Sequence, residues 1–446
     1  MNIPHTKSFT VLLLAALTLS TTVHAQHSGS NSSYSRFGLG LLSEQTQSYN
    51  ASMGGVAQGL RSGNRINKQN PASYAAVDSL SLLFDAGISL NTAHIKQGNT
   101  SLNANSTSLD FVCAEMRLLK GLGLSIGFVP YSNTDYSFAQ ESKVFDDTYY
   151  NQEVTQQVAY NGSGSLHEVY LGLGWMPFKG FSMGFNVGYM HGYISHSVVQ
   201  SFYENGTSNN SDYSDMRTIY TSALRTWNCD IGLQYGFNLN ATNSLTLGAT
   251  VGLGHTIPQE AQMMRYTLNA DTITRQCSGA YSLPMSYSAG LAWQHNDQLT
   301  VAADWKLQKW SKAVVPALNE SADHSTITYE PTTGLMRDRH RFALGAEYVP
   351  RRYDRHYLSR INYRIGAYYS TPYQIINGHD GPYTCGITAG LGLPITNIWN
   401  NRSYVNIGLE WTHRDASAPG MIREDIFGIN ISLTFNERWF MQWKFD

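Results

Sequence analysis

Residues 80–91 read LSLLFDAGISLN, and this stretch decides the fold. Its even positions, from Leu80 to Leu90, are all apolar, whereas most of its odd positions, such as Ser81 and Asp85, are small or polar. Successive side chains of a strand point to opposite faces, so this alternation is the period of a β-strand with one apolar face. The stretch predicts a strand whose two faces meet different surroundings.

The same alternation recurs to the end of the chain, and helical periodicity is nearly absent. We count fourteen such segments, at residues 79–90, 107–119, 122–131, 166–176, 181–195, 219–237, 244–254, 284–294, 299–310, 337–349, 359–369, 384–393, 403–412 and 425–435. Up to about residue 350, turns of two to six residues alternate with connections of 16 to 34 residues. Membrane barrels sort their connections in this way, with short turns on the periplasmic side and longer loops outside.

The composition agrees with a membrane barrel. Only 14% of the residues are charged, against roughly 25% in soluble domains. No internal stretch reaches the roughly 18–20 apolar residues that a spanning helix needs. A bilayer offers no water to a bare strand edge, so only a closed sheet can pair every backbone group there. The sequence predicts an all-β fold, a 14-stranded antiparallel transmembrane β-barrel over residues 79–446, with a periplasmic sandwich as the alternative.

The residues of the second face and of the strand ends refine this prediction. The second face carries mostly Gly, Ser, Thr and Asn, which suits a crowded lumen better than bulk water. Aromatic side chains near the strand ends are expected to form interfacial girdles. They are Tyr131, Trp175, Tyr189, Trp293, Trp310, Tyr348, Trp411 and Trp439.

The amino terminus predicts export. Lys7 precedes the apolar run from Phe9 to Leu19, and Val23-His24-Ala25 forms a small-x-small cleavage site. These features indicate a secretory signal peptide at residues 1–25 and a destination in the outer membrane of a Gram-negative type of cell. The 4 cysteines lie far apart without a CxxC spacing, so neither a zinc site nor a dense disulfide framework is expected.

Residues 26–78 do not alternate and are rich in Gly, Ser and Asn. A ring of this many strands encloses a lumen too wide for its own side chains to fill. We therefore expect this segment to fold inside the barrel as an N-terminal hatch, or plug, and a disordered periplasmic tail is the alternative. Pro71 would suit a rigid bend between plug and wall, or an ordinary turn at the entry to a strand.

Several short motifs resemble those of the FadL-type family of outer-membrane transporters for long-chain fatty acids and other hydrophobic compounds. They are Ser35 to Gly40, Met53-Gly54-Gly55, Asn70-Pro71-Ala72-Ser73-Tyr74, the small-residue strand Gly162 to Gly174 and the ending Ile431 to Phe445. The resemblance implies a plugged barrel that captures hydrophobic ligands outside and releases them through a side opening toward the membrane. It makes Gly54, Gly55 and the Asn70-Pro71-Ala72 hatch motif candidate ligand-binding residues. The final Asp446 departs from the terminal aromatic residue that is usual in outer-membrane barrels.

Charged and polar residues on three predicted strands fall on the same face as the small residues. They are Asp304, Lys306, Arg341, Glu347, Asn362 and Arg364. Charges removed from water need partners, so one interpretation is a set of mutual ion pairs that braces the barrel. The other is that Arg341 or Arg364 binds the carboxylate of an amphipathic ligand through two parallel hydrogen bonds.

No motif indicates catalysis. Gly123 to Gly127 fits G-x-S-x-G, but it lies within an alternating strand and lacks the helix that a nucleophile elbow requires. We expect no catalytic residue, no metal site and no cofactor. A net charge of -2 gives no field for nucleic acid.

The functional hypothesis is passive transport of small hydrophobic molecules, such as long-chain fatty acids, by a barrel embedded in outer-membrane lipid. The alternative is a structural or secretion-associated barrel that binds a protein partner through its long loops, as PorV-type relatives do. A surface lipid hydrolase built on Ser125 is a distant third.

Overall fold

The computed structural model describes residues 31–79, 81–146, 152–204, 215–267, 270–321, 327–395, 403–418 and 420–438. Within these ranges, fourteen antiparallel strands form one closed ring, numbered β1 to β14 in chain order. They are Ser81–Gln97, Thr100–Leu119, Leu122–Asp146, Gln152–Phe178, Phe181–Glu204, Met216–Asn238, Asn243–Gly252, Ser286–His295, Leu299–Gln308, Arg339–Tyr348, Asn362–Ser370, Tyr383–Ile395, Ser403–Asp415 and Arg423–Arg438. β1 pairs with both β2 and β14, which closes the ring. The predicted 14-stranded barrel is confirmed.

The alternation of each strand separates the outside of the barrel from its lumen. On β1, Phe84, Ile88 and Leu90 are 41 to 45% exposed on the outer face. Asp85 and Ser89 of the same strand are buried on the inner face. A sandwich would pack its apolar faces together, so this outward apolar surface excludes the alternative fold.

The two ends of the barrel differ. We call one the turn end, because it carries the short connections 120–121, 179–180, 239–242 and 296–298, and the other the hairpin end. The prediction of a long loop over residues 132–165 is wrong, because β3 and β4 continue as a paired hairpin to Asp146 and from Gln152. Beyond the apolar band both faces of a strand are polar, so the alternation ends although the backbone pairing does not.

Two connections at the hairpin end contribute apolar residues to a cluster that we call the cap, and the strand Glu260–Thr267 of the first also continues the wall by pairing with β6. The β7–β8 connection contains the strands His255–Ile257, Glu260–Thr267, Ala270–Ser278 and Tyr281–Leu283. The β9–β10 connection contains the 3-10 helix Trp310–Lys312 and the paired strands Val315–Glu320 and Ile327–Thr332. Apolar residues of both pack against inward residues of the wall, such as Leu166 and Met190.

The aromatic residues predicted to form girdles lie in different surroundings. Trp175, Tyr189 and Tyr348 are exposed on the outer face. Trp310 is wrong as a girdle residue, because it follows β9 in a 3-10 helix and is buried in the cap. Tyr131 also packs against the cap, because a register shift between Pro130 and Ser132 breaks the alternation of β3. Trp293 and Trp411 are partly exposed, and Trp439 lies outside the described residues.

Residues 31–79, which we call the hatch segment, lie inside the ring. Their elements are the 3-10 helix Ser33–Arg36, the strand Leu41–Leu42, the helix Ser48–Ala51 and the 3-10 helix Pro71–Ala76. The strand Leu41–Leu42 was not expected from the sequence. At the hairpin end, the Ser32 hydroxyl donates to the Glu424 carboxylate at 2.6 Å. At the other end of the segment, the Pro71 carbonyl lies against Gly174 and Gly184, close to the turn end. The hatch segment therefore runs the length of the bore.

Smaller elements complete the connections. The 3-10 helix Tyr357–Arg360 lies between β10 and β11, and the short paired strands Ile375–Ile376 and His379–Asp380 lie between β11 and β12. No helix of the described residues is long and apolar enough to cross a membrane. All four cysteines are free. The predicted signal peptide and the final residue Asp446 lie outside the described residues.

Candidate functional site in the barrel lumen

The small residues of the inner face leave room for the hatch segment. A Cβ on Gly366 would lie 2.1 Å from the carbonyl carbon of Met53, and one on Gly345 would lie 2.2 Å from the Met53 oxygen. Gly54 itself has a φ of +72, and a Cβ there would meet backbone atoms of β10 and β11 at under 3.0 Å. Hatch and wall thus touch through their backbones, which only glycine permits at these points.

The Asn70-Pro71-Ala72 motif forms a buried bend. Asn70 is extended, and its side-chain oxygen accepts a hydrogen bond from the Ala72 amide at 3.2 Å, which begins the 3-10 helix. Its amide group donates to the Gln58 carbonyl at 2.9 Å. Because Pro71 cannot donate a hydrogen bond, it fits the first position of this helix. The motif therefore fixes the path of the hatch segment, and its part in ligand binding stays a prediction.

Three ion pairs join the hatch segment to the wall, and the Lys68–Glu168 pair is the most deeply buried. Arg65 binds Glu347 of β10 at 2.8 Å, and Lys68 binds Glu168 of β4 at 2.8 Å. Glu44 binds Arg339 of β10 at 2.5 Å. The hatch partners Glu44, Arg65 and Lys68 were missed from the sequence, although they are charged residues in a segment otherwise rich in small polar ones.

These pairs shift the hatch groups toward their charged forms. Burial alone would lower the pKa of the Lys68 ammonium, but the Glu168 and Asp230 carboxylates together more than offset this effect and raise the pKa above its ordinary value. Burial likewise acts to raise the pKa of the Glu44 carboxyl, but Arg339, Arg341 and Lys306 together hold this pKa well below its ordinary value.

The six polar residues predicted to share the lumen all lie on the inner face. Asp304 accepts hydrogen bonds from the Ala57 and Gln58 amides at 2.5 and 2.9 Å. Arg341 donates to the Gly54 carbonyl at 3.0 Å and lies 4.4 Å from the centre of the Tyr368 ring.

Arg364 occupies a different environment from Arg341. Its guanidinium pairs with Glu347 at 2.7 Å and donates to Asn406 at 2.8 Å. Its side chain is 1% exposed. These contacts satisfy the charge of Arg364 between hatch and wall.

The wall has a seam between β2 and β3. These strands pair only between Val112–Phe128 and Leu119–Leu122, near the turn end. Toward the hairpin end, β2 continues to pair with β1 and β3 with β4, but β2 and β3 form no further ladder pairs. We call this unpaired stretch, residues 100–111 of β2 and 129–146 of β3, the seam.

The hatch segment covers part of the seam from inside. Leu41 pairs with Asn133 and Leu42 with Ser132, both at the open edge of β3. The Ser43 amide donates to the Tyr131 carbonyl at 2.8 Å. These backbone bonds take the place of those that β2 does not make.

A cavity of about 320 Å³ lies between the hatch segment and the wall, and it reaches the seam. Its lining includes Leu41 and Leu42 of the hatch strand and Ser106, Asp110 and Phe111 of β2. Charged residues around it are Glu44, Asp110, Arg339, Arg341, Glu410 and Arg414. Aromatic residues beside these are Phe111, Tyr368 and Tyr373. A pocket with apolar surface and a few placed charges can hold an amphipathic molecule.

The predicted ligand-binding residues divide around this cavity. Gly54, Gly55 and Arg341 line it, whereas Asn70, Pro71, Ala72 and Arg364 do not. Ser125, of the G-x-S-x-G sequence, lies on β3 with its hydroxyl 3.1 Å from the Ala114 carbonyl. Ser125 therefore lies within a strand, as expected, and not in the strand-to-helix turn that carries the nucleophile of a hydrolase.

Comparison with known proteins gives the family. A family model described as BamG matches residues 6–446. The chain belongs to the BamG family. No curated protein sequence matches this BamG-family chain.

Solved structures give the fold of the BamG-family chain. The toluene transporter TodX of Pseudomonas putida aligns with a TM-score of 0.56 at 14% identity, over 90% of this chain and 100% of its own. The toluene transporter TbuX of Ralstonia pickettii aligns with a TM-score of 0.56 at 15% identity, over 89% and 99%. A FadL homologue of Pseudomonas aeruginosa aligns with a TM-score of 0.56 at 13% identity, over 88% and 98%. The resemblance to FadL-type barrels is thus confirmed as a resemblance of fold.

Proposed function

We propose that the chain is a passive outer-membrane channel for small hydrophobic or amphipathic molecules, exported by the signal peptide at residues 1–25. The outward apolar surface supports its place in a bilayer, since lipid would cover side chains that water would not. Its fold is that of barrels named as toluene transporters, which supports a ligand of hydrophobic character. Long-chain fatty acids are one such class.

The observation that carries this proposal is the seam. A molecule in the cavity lies next to the unpaired edge of β2, and hatch residues 41–43, of which Leu41 and Leu42 pair with the edge of β3, stand between it and the outside of the wall. A hydrophobic molecule that leaves sideways enters the acyl chains directly and never crosses water. We propose that ligands enter at the hairpin end, occupy the cavity beside Gly54, Gly55 and Arg341, and leave through the seam.

The other predicted site residues take supporting roles in this proposal. Arg364 braces hatch and wall through Glu347, and the Asn70-Pro71-Ala72 bend holds the hatch segment in position for the cavity. If an Arg364→Ala variant still assembles, its ligand uptake should fall only as far as the amount of folded barrel falls. Uptake per folded barrel should stay unchanged.

A disulfide across the covered seam tests the route. Leu42→Cys and Ser132→Cys join register partners in a cysteine-free background. Uptake of labelled oleate, and separately of toluene, is measured in a Gram-negative host without its own FadL-type channel. Oxidation should reduce uptake to background and a reductant should restore it. The matched control joins Asn238→Cys and Ser244→Cys, register partners at the turn end, and should not respond to oxidation. Full uptake through the oxidised seam would reject the route.

A protein-binding role is the second candidate, and the length of β3 to β6 favours it. These strands have 25, 27, 24 and 23 residues, whereas about 9–11 suffice to cross a bilayer. The excess stands beyond the hairpin end as a tall sheet that a channel does not require. Shortening the β3–β4 hairpin at the Ser137–Asn161 pair should preserve uptake if the chain is a channel. It should abolish a stable complex purified from the membrane if the sheet binds a partner.

A further inference from the structure

The connection between β10 and β11 is a basic loop at the turn end of the barrel. β10 ends beside the turn 296–298, where the Val349 amide donates to the Gln298 carbonyl at 2.7 Å. We call residues 351–360, which read RRYDRHYLSR, the basic loop. It carries four arginines against a single aspartate, in a chain whose net charge is -2. The proposed channel makes no use of these charges.

Two hydrogen bonds fix the position of the basic loop on the wall. Tyr363 lies on the outer face of β11, and its hydroxyl donates to the Leu358 carbonyl at 3.1 Å. The Tyr357 hydroxyl donates to the Pro394 carbonyl, near the end of β12, at 3.2 Å. These bonds hold the second half of the loop at the outer rim of the wall, beside side chains that face the bilayer.

The large side chains of the basic loop are exposed at this rim. Tyr353 is 86% exposed and Leu358 is 68% exposed. The outer-face residues Tyr348 and Ile395, at the neighbouring ends of β10 and β12, are exposed as well. Segments that lie at a membrane surface combine apolar and aromatic side chains with arginine in this way. The loop therefore has the composition and the place of a segment in the headgroup region.

The arginines of the basic loop have few counter-ions. Arg351 lies 3.9 Å from the Asp354 carboxylate. No carboxylate in the described part of the chain forms an ion pair with Arg352, Arg355 or Arg360. The Nε–H groups of Arg352 and Arg360 are shielded from water, and within the described residues they have no acceptor. A shielded donor without a partner costs free energy, so a ligand that brings oxygen acceptors is favoured here.

We propose that the basic loop binds the phosphate of an anionic membrane phospholipid while Tyr353 and Leu358 enter the headgroup region. Guanidinium groups match the oxygens of a phosphate with paired hydrogen bonds. A phospholipid fits this place because the loop continues the outer face of the wall, so its occupant meets cations and apolar surface together. The inference goes beyond the proposed channel and requires only that the barrel lies in a bilayer.

Lipid binding by the detergent-purified full chain tests the phosphate contact. Native mass spectrometry measures the apparent affinities for phosphatidylglycerol and phosphatidylcholine, with and without inorganic phosphate as a competitor. The wild type should prefer phosphatidylglycerol. Arg352→Gln with Arg355→Gln should weaken phosphatidylglycerol binding about tenfold or more, because each arginine near an anionic lipid surface contributes about fivefold. Lys120→Gln with Lys179→Gln removes the same charge from two exposed turns at the same end, and should change this affinity by less than about twofold.

Spin-label accessibility tests the position of the basic loop in the membrane. Leu358→Cys is labelled with a nitroxide in a cysteine-free background, and the full chain is placed in nanodiscs of phosphatidylglycerol and phosphatidylcholine. The label should relax more with oxygen, which concentrates among acyl chains, than with a water-soluble nickel chelate. A label on Asp297→Cys, in the exposed turn 296–298, should respond mainly to the chelate.

Three results would overturn the inference. Equal losses in the arginine and lysine double variants would make general charge the cause. Complete displacement of phosphatidylglycerol by inorganic phosphate would assign the site to free phosphate. A label at residue 358 that responds mainly to the nickel chelate would leave the loop open to water or to an acidic protein. Heat-dependent gel mobility checks that each variant is folded. Neither readout involves ligand uptake, so the proposed channel fails or succeeds separately.

Discussion

Substitution of Lys68 by methionine should destabilise the barrel strongly. Lys68 and Glu168 are 2% and 0% exposed, and the ammonium lies 2.8 Å from one carboxylate and 3.9 Å from that of Asp230. Removing the cation leaves the Glu168 carboxylate buried beside Asp230 without its counter-ion. Breaking one side of a buried pair costs about 3–5 kcal/mol, against about 0–1 kcal/mol for a surface pair.

A double-mutant cycle separates the ion pair from simple loss of packing. Lys68→Met with Glu168→Leu removes both charges, and replacing a whole buried pair by apolar residues is often nearly neutral. The double variant should therefore recover about 2 kcal/mol or more of the loss. Urea unfolding in lipid vesicles, followed by tryptophan fluorescence, gives the free energies. A Lys68→Met cost below about 1 kcal/mol would refute the argument that this contact is a desolvated pair.

Three further predictions follow from the wall and the hatch segment. Gly366→Leu places a side chain where a Cβ already lies 2.1 Å from Met53; it should displace the hatch segment and raise single-channel conductance in planar bilayers. Val187→Arg puts a charge on the outer face; if that face meets lipid, refolding into vesicles should lose about 2–4 kcal/mol, whereas a water-facing surface would show no loss. The stability difference between wild type and Glu44→Gln should be fully present above the ordinary pKa of 4.5 and should fade as the pH falls below it, because the folded-state pKa of Glu44 is lowered; thermal unfolding at a series of pH values measures this, and a difference that grows in acid would contradict it.

The number and faces of the strands were predictable because one physical pattern repeats. Apolar residues alternate with small or polar residues wherever lipid-facing and lumen-facing positions alternate along a strand, as from Leu82 to Leu90. The sequence predicted that the glycines lie on an inner face of small residues, but it did not show why small residues are needed there. Gly345 and Gly366 are small because Met53 touches them, and a contact between residues about 300 apart leaves no local signal.

The seam and the hatch strand that covers it could not be predicted from the sequence, for a related reason. Beyond the Val112–Phe128 pair, β2 and β3 both continue as strands that pair with β1 and β4, so the strand pattern does not indicate where their pairing with each other stops. The strand Leu41–Leu42 is too short for any period to be visible. The ion pairs of Glu44 depend on which wall strands the hatch segment faces, and only the folded chain determines that.

The course of residues 31–79 constrains how this protein is made. Ser32 is bonded to Glu424 at the far mouth of the cylinder, while residue 79 leads into β1 at the opposite mouth. Once the barrel is closed, this segment could enter only by passing lengthwise through the bore together with its charged residues Glu44, Arg65 and Lys68. Closing the sheet around a segment that is already in position avoids that passage.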